Sequence, residues 1–147
     1  MPIYFYLQTE VPYGAFSNFA PYGFTLDDRY WATSEHYFQA QKFVASPADF
    51  EAVANASTPK RAADWGRERT RPLRADWNAV KDDVMRRAVV AKLAAHPELE
   101  RLLIETGDEP IIEKTSGDYY WGCGTEGTGL NRLGVILEEL REKLRAG

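Results

Sequence analysis

Residues 33–43, TSEHYFQAQKF, limit what this chain can fold into more than any other stretch. Thr33 and Ser34 are helix-capping types, whose hydroxyls accept from the unpaired amides of a first turn, and nothing after them breaks a helix. At about 100° per residue, Glu35, Gln39 and Lys42 share one face with Phe38 at its edge. His36, Ala40 and Phe43 share a second face, and Tyr37 and Val44 a third. A helix with apolar groups all round its axis belongs in an interior. This one takes a carboxylate, an imidazole, two amides and an ammonium with it. Two readings stand. The Glu35–Gln39–Lys42 strip is solvated and Glu35 is a first-turn acid favoured by the helix dipole, or the strip lines a cleft. In a cleft Glu35 is a candidate general acid with a raised pKa, and Lys42 a candidate nucleophile or anion anchor. His36, on another face, reads as a core histidine with its hydrogen bonds met.

Such a helix needs a body around it, and 147 residues suffice for one domain, 1–147, that buries about two-thirds of its unfolded surface. Residues 3–7 read as a strand, and residues 24–26 and 29–31 as a hairpin about Asp27-Asp28. Ser46-Pro47-Ala48-Asp49 starts a helix reaching about Asn55, and Thr58-Pro59 starts another that stops at Gly66. Asp76 caps the longest, residues 77–95, with Val80, Val84, Ala88, Ala91 and Ala95 as its apolar stripe. A short helix follows Pro97, residues 111–113 read as a strand, and a last amphipathic helix runs from Arg132 to about Leu144. The class expected is α+β, mostly helical, with a small β-sheet.

Two loops look unlike ordinary connections. In YGAFSNFAPYG, residues 13–23, Ser17 and Asn18 lie between Phe16 and Phe19. An asparagine amide can read a base edge or hold a sugar hydroxyl, and flat rings offer a stacking surface. The same residues also suit an Asx- or Ser-turn with its aromatics in the core. In GDYYWGCGTEGTGLN, residues 117–131, Gly122, Gly124, Gly127 and Gly129 let backbone approach a ligand, and Asn131 is placed to cap the last helix. Asp118, beside Tyr119, Tyr120 and Trp121, is a candidate second carboxylate for hydrolysis of a glycosidic bond. The loop lacks the Lys-Ser/Thr ending of a phosphate-binding Walker loop.

Charge points the same way. The chain carries −4, yet residues 60–74 hold six cations against Asp64 and Glu68, a local +4 that leaves −8 elsewhere. A basic segment on an acidic protein suits a small anion, most simply phosphate, or a solvated surface. Nothing in the chain is long and apolar enough to cross a bilayer, and a lone cysteine, Cys123, gives neither a disulfide nor a metal-ligand spacing. A reducing, cytoplasmic setting follows, with no metal and no cofactor expected.

Five spaced motifs carry a resemblance: YGxFSNF, WxTSEHYFQAQKF, GRxRxxPLRxxWxxVKxxVMRRA, HPELxxLL and DxYWGxGxxGxGxNRLG occur here in that order, from about Tyr13 to Leu144. Together they resemble the NADAR family, in its YbiA-like bacterial branch. The resemblance implies an N-glycosidase, cleaving the bond between ribose C1 and a base or amine nitrogen. Its implied substrates are phosphoribosylated pyrimidine intermediates of riboflavin synthesis or guanine carrying ADP-ribose, the latter free or in single-stranded DNA or RNA. It implies Glu35, Lys42, Trp77 and Asp118 as functional residues. Ala32 stands where the pattern has proline, and Cys123 where many relatives have aspartate. On this basis Trp77 and residues 16–19 hold the leaving base, and Asn18 or Asn131 fixes a hydroxyl or base edge. Arg67, Arg74 and the glycine loop, Gly122 and Trp121 included, take the phosphate. Glu35 moves protons, and Lys42 either binds or forms an imine with the opened sugar. The competing class is a module that binds ADP-ribose or a nucleotide without cleaving it.

Overall fold

The computed structural model describes residues 1–147. Its class is α+β with six α-helices and two small sheets, each of two strands. Backbone contacts divide it into two compact units, residues 21–92 and residues 1–20 with 93–147.

The 21–92 unit begins with a hairpin of β2 (Phe24–Leu26) and β3 (Arg29–Trp31), paired antiparallel with Phe24 opposite Trp31. Asp27 and Asp28 both take positive φ, 56° and 61°, the two-residue turn that matches strand twist and that short polar side chains tolerate. Trp31 meets Tyr37 and Phe50 edge-on, at 5.1 and 5.8 Å between ring centroids. Helix α1 (Ser34–Gln41) follows, and its cap is the expected one: Thr33 Oγ1 accepts from the His36 amide at 3.2 Å. It packs against α2 (Pro47–Ala54) and α3 (Pro59–Arg67), whose own cap is Thr58. The 68–76 connection is pinned by Arg71, which lies on the Trp65 ring at 4.1 Å and 3.4 Å from Asp49. Helix α4 (Trp77–Ala95) buries Val84, Met85, Ala88, Val89 and Lys92. Its covered stripe is rotated from the expected one: Val84 and Ala88 belong to it, but Ala95 is exposed. Neighbouring elements, not periodicity alone, decide which flank of a long helix is covered.

In the other unit, β1 (Ile3–Phe5) pairs parallel with β4 (Ile111–Glu113), Ile3 opposite Ile111. The strand expected over residues 3–7 ends at Phe5. Helix α5 (Pro97–Glu105) packs on α6 (Arg132–Ala146), and α6 on β4. Arg141 is buried there, donating through Nη1 to Thr106 Oγ1 and the Glu109 carbonyl at 2.9 and 2.7 Å. No helix is long and apolar enough to cross a membrane.

Candidate active site

Every residue of α1 is buried. Glu35, Gln39 and Lys42 are only 5%, 3% and 6% exposed, which removes the reading of a solvated strip. Within the strip Gln39 Nε2 donates to Glu35 Oε2 at 2.7 Å, one helical turn away. Lys42 caps the helix C-terminus, and its Nζ donates to the Gly66 carbonyl at 3.1 Å. The ammonium lies 5.7 Å from the centroids of both Phe38 and Trp77, rings that meet edge-on at 5.1 Å. The Lys42 carbonyl accepts from the Arg74 amide at 2.9 Å, which ties the 68–76 connection to the end of α1.

The electrostatics are uneven. Burial lowers the pKa of Lys42 from its ordinary 10.5 to about 8; the Glu35 carboxylate opposes that, and Arg69, Arg67 and Lys81 add to it. At pH 7 about a tenth of such lysines are neutral, roughly 300-fold more than for an unperturbed one. A buried amine with that neutral fraction can act as a nucleophile as well as a cation.

His36 is the satisfied core residue expected of it. Nδ1 lies 2.8 Å from Thr33 Oγ1 and Nε2 lies 2.9 Å from the Ala56 carbonyl, so the ring carries its proton on Nε2. Tyr37 donates to Asp27 at 2.9 Å; burial raises its pKa, and Asp27 adds to that.

The basic segment is partly neutralised. Arg74, expected at the phosphate, grips Asp76 through Nε and Nη2 at 2.6 and 3.0 Å, and only its backbone touches the site. Lys60 pairs with Asp64, and Arg71 with Asp49. Arg67 and Arg69 are exposed and carry no ion pair.

The glycine-rich loop departs most from expectation. Asp118 Oδ1 accepts from the amides of Tyr120 and Trp121, both at 2.9 Å, and so holds a turn. Asn131 takes a left-handed conformation with φ 53° and does not cap α6 with its side chain. Its amide instead donates to the Ile111 carbonyl at 2.8 Å and accepts from the Glu113 amide at 3.0 Å, which fastens β4 to the loop. A Cβ on Gly122 would lie 2.4 Å from the Thr115 side chain and 2.8 Å from the Glu113 carbonyl, so this glycine admits the loop's own strand rather than a ligand. The first amides of α6 are engaged too: Arg132 and Leu133 donate to the Tyr120 and Trp121 carbonyls at 2.9 and 3.0 Å. An anion at that helix N-terminus would find those two donors taken.

The aromatic loop divides. Phe16 is buried against Phe5 and Tyr13, with centroids 5.9 and 6.0 Å away, as the core alternative had it. Ser17 Oγ accepts from the Phe19 amide at 3.1 Å, a Ser-turn. Asn18 is buried and Phe19 half-buried. Residues 16–19, Asp118, Trp121, Gly122 and Asn131 all belong to the unit of residues 1–20 and 93–147; Glu35, Lys42, Arg67, Arg74 and Trp77 belong to the other. The structure adds two residues to the latter set, Gln39 and Gly66. Gln39 was legible as Glu35's partner four residues on; Gly66 acts through its backbone and leaves no such mark. No three His, Cys, Asp or Glu side chains gather around one point that a metal ion would fill.

A chain with its buried glutamate and lysine on one such helix can be compared with known proteins. The model of the NADAR domain matches residues 4–145. The chain belongs to the NADAR family. It is 48% identical over 147 residues to N-glycosidase Npun_R5314 of Nostoc punctiforme, covering 99% of this chain and 94% of that one. N-glycosidase YbiA of Escherichia coli is 49% identical over 139 residues, covering 95% and 86%. The NMR structure of the E. coli protein YbiA superposes with a TM-score of 0.90 and 46% identity, over 99% of this chain and 88% of that one. The chloroplastic riboflavin biosynthesis protein PYRR of Zea mays is 38% identical over 97% of this chain, which matches 25% of its length. This NADAR chain is an enzyme of the N-glycosidase class, a hydrolase of N-glycosyl bonds.

Proposed function

We propose that this NADAR enzyme hydrolyses the bond between ribose C1 and the amine nitrogen of a phosphoribosylated pyrimidine of riboflavin synthesis, with α1 as the floor of its ribose site. The observation that carries this reading is a carboxylate and a lysine amine buried on one helix face, with the amine's pKa lowered by burial to about 8. The likeness to a riboflavin biosynthesis protein supports the substrate class. Trp77 and Phe38 supply flat apolar surface beside the amine. Arg67 and Arg69, free of ion pairs, suit the phosphate.

In this mechanism Glu35 protonates the ribose ring oxygen while the nitrogen lone pair forms a double bond to C1 and the ring opens. Neutral Lys42 adds to C1. The bond from C1 to the base nitrogen breaks, a proton passes to that nitrogen, and the sugar stays on Lys42 as an imine. Water then adds to C1, Lys42 departs as the amine, and the ribose ring recloses. One water is consumed and one C–N bond is broken. Guanine carrying ADP-ribose, free or at the end of a single strand, presents the same ribose and phosphate and is the alternative substrate.

The test is release of free base from both substrates by wild type, Glu35→Gln and Lys42→Ala, with borohydride added during turnover. The reading expects cleavage of the pyrimidine substrate, lost in both variants, and a reduced sugar adduct on Lys42. Cleavage of ADP-ribosyl guanosine alone would move the substrate. Turnover without a trapped adduct would leave Glu35 as base toward water and Lys42 as a binding group. Tight binding of ADP-ribose with no cleavage of either substrate would make the protein a reader.

A further inference from the structure

We propose that Gly66 is a positioning residue of this site: its missing side chain gives Gln39 the room to hold Glu35, while its carbonyl holds the Lys42 ammonium. The inference rests on Glu35 and Lys42 being the reacting pair.

The residue lies in the last turn of α3, with Ala62 and Ala63 buried before it. Its φ is not in the left-handed region, so the backbone does not require glycine, and inside a helix glycine is costlier than alanine. Space is the remaining reason. A Cβ at Gly66 would stand 1.9 Å from Gln39 Oε1, 2.7 Å from its Cδ and 3.1 Å from its Cβ. No rotation confined to the amide clears all three.

Gln39 shows a second local cost at the same point. Its Oε1 is buried and has no hydrogen-bond partner. The amide cannot be turned over to relieve this, because Nε2 donates to Glu35 Oε2 and the flipped group would set oxygen against the carboxylate. Oε1 therefore occupies the space that a side chain at residue 66 would need. Buried carbonyl oxygens rarely go without a partner. A helical glycine and an orphaned oxygen at one contact are both explained by a single requirement, that the Gln39 amide point at Glu35. The same residue fixes the other member of the pair, since Lys42 Nζ donates to its carbonyl at 3.1 Å. Residues 27 positions apart in sequence thus set the spacing of carboxylate and amine through one backbone position.

A double-mutant cycle on the full chain tests this, with Gly66→Ala, Gln39→Ala and both together. Val53→Ala, in the buried part of α2, serves as a control for loss of stability alone. Three readouts are taken: steady-state kinetics, Tm, and the pH titration of the Lys42 13Cε signal. The last two need no substrate, so a wrong assignment of the reaction leaves them interpretable. Gly66→Ala is expected to lower kcat at least tenfold with KM changed less than threefold, and to move the Lys42 titration. In the Gln39→Ala background the same change should cost less than twofold in kcat and little in Tm, because the clash has been removed. If Gly66→Ala alone does not fold, the double variant should. Val53→Ala should lower Tm and leave the Lys42 titration in place. Equal losses from Gly66→Ala in both backgrounds, a double variant that also fails to fold, or a Lys42 titration unmoved by Gly66→Ala would each overturn the proposal.

Discussion

The helix α1 and the loop of residues 117–131 are the two regions with the most concentrated polar chemistry, and they use it in opposite ways. In the loop the groups that look ready for a ligand bind the loop itself. Asp118 closes a turn, Asn131 joins two backbone positions of β4, and the first amides of α6 go to loop carbonyls. In α1 the groups are buried with chemistry left over: an amine held by one carbonyl contact and two ring faces, and a glutamine oxygen with no partner. A polar residue already bonded to backbone on every side is architecture. One buried without saturation, beside an opposite charge, is where a protein keeps reactivity.

That contrast is broken first by activity. Glu35→Gln and Lys42→Ala are expected to lower kcat on the order of 10²–10⁴-fold while the protein stays folded, measured as base release. Equal losses from Asp118→Asn, with Tm unchanged, would return the loop to the chemistry.

Stability sharpens it next. Asn131→Ala removes two backbone contacts and forces a left-handed alanine, at a cost of about 2–3 kcal/mol by urea unfolding. Activity per folded molecule should hold. Asn131→Gly, which keeps the conformation, should recover part of the loss.

Lysine burial makes the third comparison. The folded pKa of Lys42, about 8, lies below the ordinary 10.5, so between those values the unfolded chain binds more protons and stability rises with pH. Below pH 8 both states are protonated, and the cost of the buried ammonium is fully present. Lys42→Met should therefore stabilise the fold by about 2 kcal/mol at pH 7 and lose that advantage by about pH 10.5, read by urea unfolding at each pH. On the imine route the reacting pair needs one proton on Glu35 while Lys42 is neutral, so kcat/KM of the wild type should fall nearly tenfold per pH unit above about pH 8, where the pair loses that proton. Glu35, Arg67, Arg69 and Lys81 face this amine, so raised salt should shift the midpoint upward as the cations are screened.

The smallest effect separates the arginines. Arg67→Ala and Arg69→Ala should each raise KM severalfold for a phosphorylated substrate and little for its dephosphorylated form. Arg74→Ala, whose guanidinium is already on Asp76, should change KM less than twofold.

Much of this was legible because it is local. Capping by Thr33 and Thr58, the Asp27-Asp28 turn and the proline starts of α2, α3 and α5 each depend on a few consecutive residues, and each stands where the sequence puts it. Burial of α1 was legible too, since apolar groups on all sides of a helix leave no flank for water. The family followed from five motifs spread over most of the chain.

Tertiary structure decided which polar groups remain available. Asp118 and Asn131 look as functional in sequence as Glu35 and Lys42, and the difference lies in partners the sequence does not place beside them: β4 backbone some twenty residues before Asn131, and a glycine 24 residues after Lys42. Local rules fix φ and ψ; a hydrogen bond between distant residues exists only once packing has brought donor and acceptor within about 3 Å of each other. The sequence by itself determined the helix, its caps and its burial. Only packing determined that Gly66 stands against Gln39 and that a buried carboxylate and a buried amine act on each other electrostatically.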